Sequence, residues 1–121
     1  MEARKIMLVD DEPITNMINK RMLQHQNPAH EILDFTDPEK ASKELSGIAP
    51  DIIFLDINMP VMNGWQFLEA MERQQLLYPV IMLTSSTSQT DKERSKQHSN
   101  IKKFQSKPLR IEDLPTLFDG I

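Results

Sequence analysis

Apolar positions along the chain alternate between two spacings. Short runs rich in Ile, Leu, Val, Met and Phe fall at 5–9, 31–35, 51–55, 79–83 and 101–105. The first, third and fourth are nearly continuous in apolar residues, as strands buried on both faces should be. The second and fifth mix in charges, which suits the edges of a sheet. Between the runs the spacing becomes helical. Ile14, Met17, Ile18 and Met22 stand at i, i+3, i+4 and i+8, with Pro13 at a first helical position. Asp37 and Pro38 read as N-cap and N1, Ala41, Leu45 and Ile48 follow on one face, and Gly47 is placed to stop the helix. Phe67, Leu68 and Met71 form a third stripe. Ile111, Leu114, Leu117 and Phe118 form a last one, in which Pro115 comes early enough to be tolerated.

Strand and helix alternating five times over predict an α/β fold. The sheet should be five-stranded and parallel, in the order 2-1-3-4-5, with helices on both faces and right-handed crossovers: a flavodoxin-like, doubly wound architecture. Ligands in such a sheet bind beyond the carboxyl ends of the strands, at the switch point between the first and third. Strand one ends in Asp10-Asp11-Glu12, strand three in Asp56 and strand four in Thr84-Ser85-Ser86, while strand five runs into Lys107-Pro108. These strands are contiguous in the predicted order. Asp10, Asp11, Asp56, Thr84 and Lys107 should therefore meet in one crevice. Strand two, at the edge, ends in a helix cap instead.

Composition narrows the setting. The 121 residues suffice for one hydrophobic core, and no repeat, low-complexity tract, linker or output domain is visible, so 1–121 reads as a single domain. Eighteen acidic residues against fourteen basic ones give a net charge of −4, which argues against nucleic acid or an anionic membrane as the main partner. No apolar run approaches the ~20 residues of a membrane span, and the opening MEARKIMLV lacks a signal-peptide layout. Cysteine is absent, which excludes disulfides and thiolate metal sites and is compatible with a cytoplasmic setting.

The crevice residues have a chemistry in common. Two carboxylates ~4 Å apart repel by about 4 kcal/mol at an effective dielectric near 20, so three of them need a compensating cation. Oxygen ligands without His or Cys select a hard ion such as Mg²⁺. Lys107 adds a fixed positive charge and Thr84 a hydroxyl donor. Together these are the parts that in-line phosphoryl transfer to an aspartate requires, with Asp56 as nucleophile. Taken singly each has a plainer reading. An Asp at a strand end caps a helix or makes a turn, Asp10 and Asp11 suit a helix N-terminus, and Lys-Pro is common in loops. The weight lies in four strand ends converging on one chemistry.

These stretches resemble the receiver domain of two-component response regulators. Lys5-Ile-Met-Leu-Val-Asp-Asp-Glu12 resembles the opening strand and acidic pair, and Asp56-Ile-Asn-Met-Pro-Val-Met-Asn-Gly64 the phosphoacceptor strand and its loop. Val80-Ile-Met-Leu-Thr-Ser85 and Phe104-Gln-Ser-Lys-Pro108 resemble the two later signatures. The resemblance implies that Asp56 accepts a phosphoryl group from a phosphohistidine on a sensor histidine kinase or a histidine phosphotransfer protein. It implies direct Mg²⁺ ligation by Asp11, Asp56 and the Asn58 main-chain carbonyl, with Asp10 acting chiefly through water. Lys107 and Thr84 would contact the phosphoryl oxygens, and Phe104 would track the Thr84 hydroxyl. The surface of the fourth helix, fifth strand and fifth helix would engage an unknown downstream protein, the chain being a monomer or a weak dimer through that surface. Such a chain catalyses its own phosphorylation and dephosphorylation but is not a conventional enzyme.

Three rivals stand against this reading. An aspartate-nucleophile phosphatase wants a second acid two residues after the nucleophile, where Asn58 stands. A flavodoxin-like binding protein wants Gly, Ser or Thr after strand one, where Asp-Asp-Glu would repel a phosphate. A receiver-like scaffold without phosphorylation would have no use for the acidic pocket and Lys107. There are also departures from the family pattern. Phe104 lacks the hydroxyl of the tyrosine often found there, Ser85 replaces a smaller residue, and Asn100 stands where glycine is common and is expected to tolerate left-handed geometry.

Residues 85–100 contain no apolar side chain, so the fourth helix is expected to be short or mobile, or else solvated and tethered by its ends. Lys92, Arg94, Lys96, Lys102 and Lys103 read as a solvated face diluted by Asp91 and Glu93. His25, His30 and His98 read as surface residues. Trp65, the one tryptophan, is expected to begin the third helix near the mouth of the crevice.

Overall fold

The computed structural model describes residues 2–85 and 88–121. Its strands are β1 Lys5–Val9, β2 Glu31–Phe35, β3 Ile52–Asp56, β4 Val80–Thr84 and β5 Ile101–Ser106. All neighbouring pairs are parallel, and the order is β2-β1-β3-β4-β5, as the alternation of patterns predicts. Ser86, read as part of the fourth strand's end, lies outside the described residues. The helices are α1 Pro13–Gln26, α2 Pro38–Ile48, α3 Gly64–Arg73 and α4 Gln89–Ser95. A 3₁₀ turn, Ile111–Asp113, then leads into a short α5, Leu114–Leu117.

The sheet is buried on both faces. Met7, Val9, Ile53, Leu55, Val80 and Met82 pack against Ala41 and Leu45 of α2 and Phe67, Leu68 and Met71 of α3. Ile6, Leu8, Ile52, Phe54, Ile81 and Leu83 meet Leu23 of α1 together with Leu114, Leu117 and Phe118. Successive residues of each central strand serve opposite layers, which is why these runs are continuously apolar. Asp37 caps α2 as expected, its carboxylate accepting from the Glu39 and Lys40 N–H groups.

Several readings are corrected. Gly47 lies inside α2 rather than ending it. The helix ends at Ile48, where its C-cap Ala49 takes a left-handed φ of 49° and donates its N–H to the Leu45 carbonyl at 2.8 Å, with Pro50 barring continuation. On α1 the first three members of the apolar stripe face solvent, Ile14, Met17 and Ile18 being 66%, 45% and 48% exposed, while Met22 packs half-buried against the Leu23 layer and Asn16, Asn19 and Leu23 face inward. The cause is Asn16, whose amide finds two carbonyl acceptors at the strand ends and thereby sets the rotation of the helix. Ile111 is likewise exposed, because the 3₁₀ turn displaces it from the face shared by Leu114 and Leu117. Asn100 does not adopt a positive φ. It is buried and its amide donates to the Tyr78 carbonyl at 3.0 Å.

Two histidines are not surface residues. His30 is buried, its Nδ1 accepting the Arg4 N–H at 2.9 Å and its ring lying 5.8 Å from that of Phe118. The His98 ring stacks on Trp65 at 5.9 Å and its Nδ1 lies 2.6 Å from the Glu72 carboxylate. Only His25 is exposed. The α4 helix is seven residues long and buries none of them. It is tied to α3 by Arg94, whose guanidinium sits 5.1 Å over the Trp65 ring and 3.8 Å from Glu69. Among the described residues, no helix is long and apolar enough to cross a membrane.

Candidate functional site

The carboxyl ends of β1, β3, β4 and β5 converge. Asp10, Asp11 and Asp56 each offer a carboxylate oxygen, all within 4.8 Å of one another, with Asp10 and Asp56 buried and Asp11 half-buried. Lys107 reaches in from the loop after β5. Its ammonium is 2.6 Å from Asp10 Oδ2 and 3.3 Å from Asp56 Oδ1. Asp10 Oδ1 also accepts the Glu12 N–H at 2.9 Å. Asp10 is thus the direct anchor of Lys107, a role that sequence reasoning had not given it.

Asp56 is the last residue of β3, where it pairs with Leu83 of β4. The Asn58 N–H donates to its Oδ1 at 3.4 Å. Thr84 ends β4 and is buried, and its carbonyl accepts the Lys107 N–H at 2.7 Å. Thr84 pairs with Ser106 and Met82 with Phe104, so half-buried Phe104 lies on the same face of the sheet as Thr84, one pleat away. The Lys107–Pro108 peptide is cis.

The loop from Asp56 to α3 is tightly built. Gly64 donates its N–H to the Ile57 carbonyl at 2.8 Å, and a Cβ there would come within 2.7 Å of the Asp56 carbonyl oxygen and 2.9 Å of Ile57 Cα. Only glycine allows that approach. Asn63 caps α3 in a reciprocal pair with Gln66. Between them and Asn58, Val61 takes a φ of 70° beneath a Met62 N–H to Pro60 carbonyl bond of 2.7 Å. That is a γ-turn with positive φ, unfavourable for a β-branched residue.

Electrostatics follow from this crowding. Burial, and then the neighbouring Asp10, push the Asp56 pKa up to about 6, against the opposing pull of Lys107 and the Asn58 N–H. Burial alone would lower the Lys107 pKa. The hydrogen bond and charge of Asp10, and then those of Asp56, outweigh it and leave it raised. Asp10 and Asp56 therefore share one ammonium, and Asp11 crowds a third carboxylate beside them. The donor set is oxygen only, and no hydrogen bond or ion pair of the Asp11 side chain is present among the described residues. A hard divalent cation fits such a corner.

Trp65 is the second residue of α3 and adjoins Gly64 in the chain, but its ring is buried under His98 and Arg94. It faces the α4 side of the molecule, contacts that no local sequence signal announces.

The strand order and the acidic rim define a doubly wound α/β receiver. Residues 6–119 match the response regulator receiver domain family, and the chain belongs to that family. It is a family of signalling domains of two-component systems rather than of conventional enzymes. The Vibrio cholerae chemotaxis protein CheY4 is 27% identical and superposes with a TM-score of 0.83 over 96% of each chain. A two component response regulator from Cytophaga hutchinsonii is 26% identical, with a TM-score of 0.83 over 97% of this chain and 96% of that one. Among full-length relatives, the alkaline phosphatase synthesis transcriptional regulatory protein PhoP of Bacillus subtilis is 28% identical over 89 residues, 74% of this chain. A protein-glutamate methylesterase/protein-glutamine glutaminase of Hahella chejuensis is 36% identical over 86 residues, 70% of this chain. The matched segments are 36% and 23% of the lengths of those two proteins.

Proposed function

We propose that the chain, read as a single receiver unit over 1–121, is a phosphorylation-dependent switch of the cytoplasm. Asp56 accepts a phosphoryl group from a phosphohistidine on a sensor histidine kinase or histidine phosphotransfer protein. The observation that carries this reading is the placement of the Lys107 ammonium 2.6 Å from Asp10 and 3.3 Å from Asp56, with Asp11 closing the same corner. An Asp56 oxygen attacks phosphorus in line as the bond to the donor imidazole breaks, and the imidazole leaves with the electron pair. Lys107 and the Thr84 hydroxyl receive the phosphoryl oxygens. Asp11, Asp56 and the Asn58 carbonyl would hold Mg²⁺, with Asp10 assisting through water. That ion supplies neutralisation of the carboxylates and of the incoming phosphoryl charge.

The donor protein would meet an apolar shoulder beside the rim, formed by exposed Ile14, Met17 and Ile18 on α1. Once formed, the phosphoaspartate draws Thr84 and Lys107 inward, Phe104 follows, and the surface of α4, β5 and α5 changes its affinity for a downstream protein. Self-association, if the chain dimerises weakly, uses the same surface. No direct nucleic-acid contact is required. The test is mass spectrometry after incubation with Mg²⁺ and a small phosphodonor: one phosphoryl group should be gained, and Asp56→Asn should gain none. Labelling that survives Asp56→Asn would overturn the assignment.

A further inference from the structure

Asn16 is only 1% exposed on a helix that leaves Ile14, Met17 and Ile18 in solvent. Its Nδ2 donates to the Asp10 carbonyl at 3.0 Å and to the Phe35 carbonyl at 3.1 Å, the outgoing ends of β1 and β2. Its Oδ1 is buried with no partner. A rotation that turned the apolar stripe inward would avoid that unpaired oxygen, so packing alone does not account for the arrangement. The two carbonyl bonds do.

Asp11 shows why they matter. Its carboxylate stands within 4.8 Å of those of Asp10 and Asp56, yet no side-chain hydrogen bond or ion pair holds it among the described residues. Asp10, by contrast, is fixed through its own side chain by the Glu12 N–H and by Lys107. Asp11 is therefore placed by its backbone, and the peptide preceding it is the one whose carbonyl Asn16 grips. The Asn16 N–H closes the other side of the same turn, on the Glu12 carbonyl at 3.2 Å.

We infer that Asn16 is a positioning residue: it fixes the Asp10–Asp11 peptide so that the Asp11 carboxylate faces Asp56 at the spacing one divalent cation needs. This rests on the reading of the acidic corner as a Mg²⁺ site. Groups that orient metal ligands in this way typically change affinity ten- to a hundredfold when removed.

Calorimetric titration of the full chain with Mg²⁺, beside thermal melting of the same samples, separates positioning from packing. Asn16→Leu removes both donors at similar volume. Asn19→Leu, at another buried asparagine of α1, is the matched control. Asn16→Leu should weaken Mg²⁺ binding about tenfold or more while remaining folded, and Asn19→Leu should stay within about twofold of the parent whatever its melting temperature. If Asn16→Leu does not fold, Asn16→Ala takes its place with the same expectation. A folded Asn16 variant that binds Mg²⁺ within about twofold of the parent overturns the inference alone. A parent chain that binds no Mg²⁺ overturns the reading of the corner, and this inference with it.

Discussion

Lys107 sits closer to Asp10, at 2.6 Å, than to Asp56, at 3.3 Å. The half-buried ammonium is thus clamped to the buried carboxylate that is not the proposed phosphoacceptor and leans on the one that is. Breaking a buried pair by deleting one partner leaves an uncompensated charge. Lys107→Met should therefore lower stability by about 3 kcal/mol. Asp10→Asn in the same chain should return part of that loss. Urea unfolding of the four proteins of this cycle at neutral pH measures the coupling, and strictly additive effects would contradict the clamp.

Asp56 should make the native state less stable as pH rises. Its folded pKa of about 6 lies above the value of an unfolded aspartate, so between those two values the native state binds more protons. Stability is lost as pH climbs through that window, and the full cost is present above about 6. Asp56→Asn should then be more stable than the parent at pH 7.5 by about 1–2 kcal/mol, with the advantage fading toward pH 4. Denaturation curves at several pH values test the crossing. Because cation binding requires the ionised carboxylate, Mg²⁺ affinity should drop by about tenfold per unit below pH 6.

His30 should act in the opposite sense. Burial, with the Arg4 guanidinium nearby, holds its pKa below the ordinary histidine value. The unfolded chain then takes up a proton that the native state resists. Stability contributed by the neutral ring is complete above ~6.5 and is lost as pH falls below it. His30→Gln, which retains an acceptor for the Arg4 N–H, should flatten this acid-side loss. The comparison belongs in the Asp56→Asn background, where the two titrations no longer overlap, and an unchanged acid slope would count against it.

The loop carrying Asp56 toward α3 should respond oppositely to two small changes. Gly64→Ala forces a methyl within 2.7 Å of the Asp56 carbonyl oxygen, so it should cost about 2 kcal/mol and slow phosphoryl labelling by displacing Asp56. Val61 is 85% exposed and holds a φ of 70°, so Val61→Gly, which has no Cβ to strain there, should stabilise by about 1 kcal/mol. Thermal melting and labelling rates of both variants check this. A Gly64→Ala chain with parent-like values for both would contradict the close packing.

The sheet was legible because its central strands are buried on both faces and spell this in unbroken apolar runs, from Ile6 to Val9 and from Ile52 to Leu55. The acidic rim was legible because its members stand at the ends of those same runs. What periodicity could not weigh was a buried amide with distant acceptors. Asn16 bonds the Phe35 carbonyl nineteen positions away, and that bond outvotes three apolar residues in choosing which face of α1 turns inward. His30 escaped for the same reason, since its partners Arg4 and Phe118 come from opposite ends of the chain. Ala49 in a left-handed cap shows a neighbouring proline overriding the nearby glycine as the stop signal.

The attachment of α4 carries a consequence for how the molecule responds to its surroundings. This segment rests on a guanidinium over an indole and on an imidazole beside a carboxylate, and contributes no greasy side chain of its own to the interior. Peeling it away would wet little hydrocarbon beyond the indole face, so the release should show almost no heat-capacity increment and scant sensitivity to urea. Ionic strength, rather than temperature, is then the natural lever on that edge of the protein.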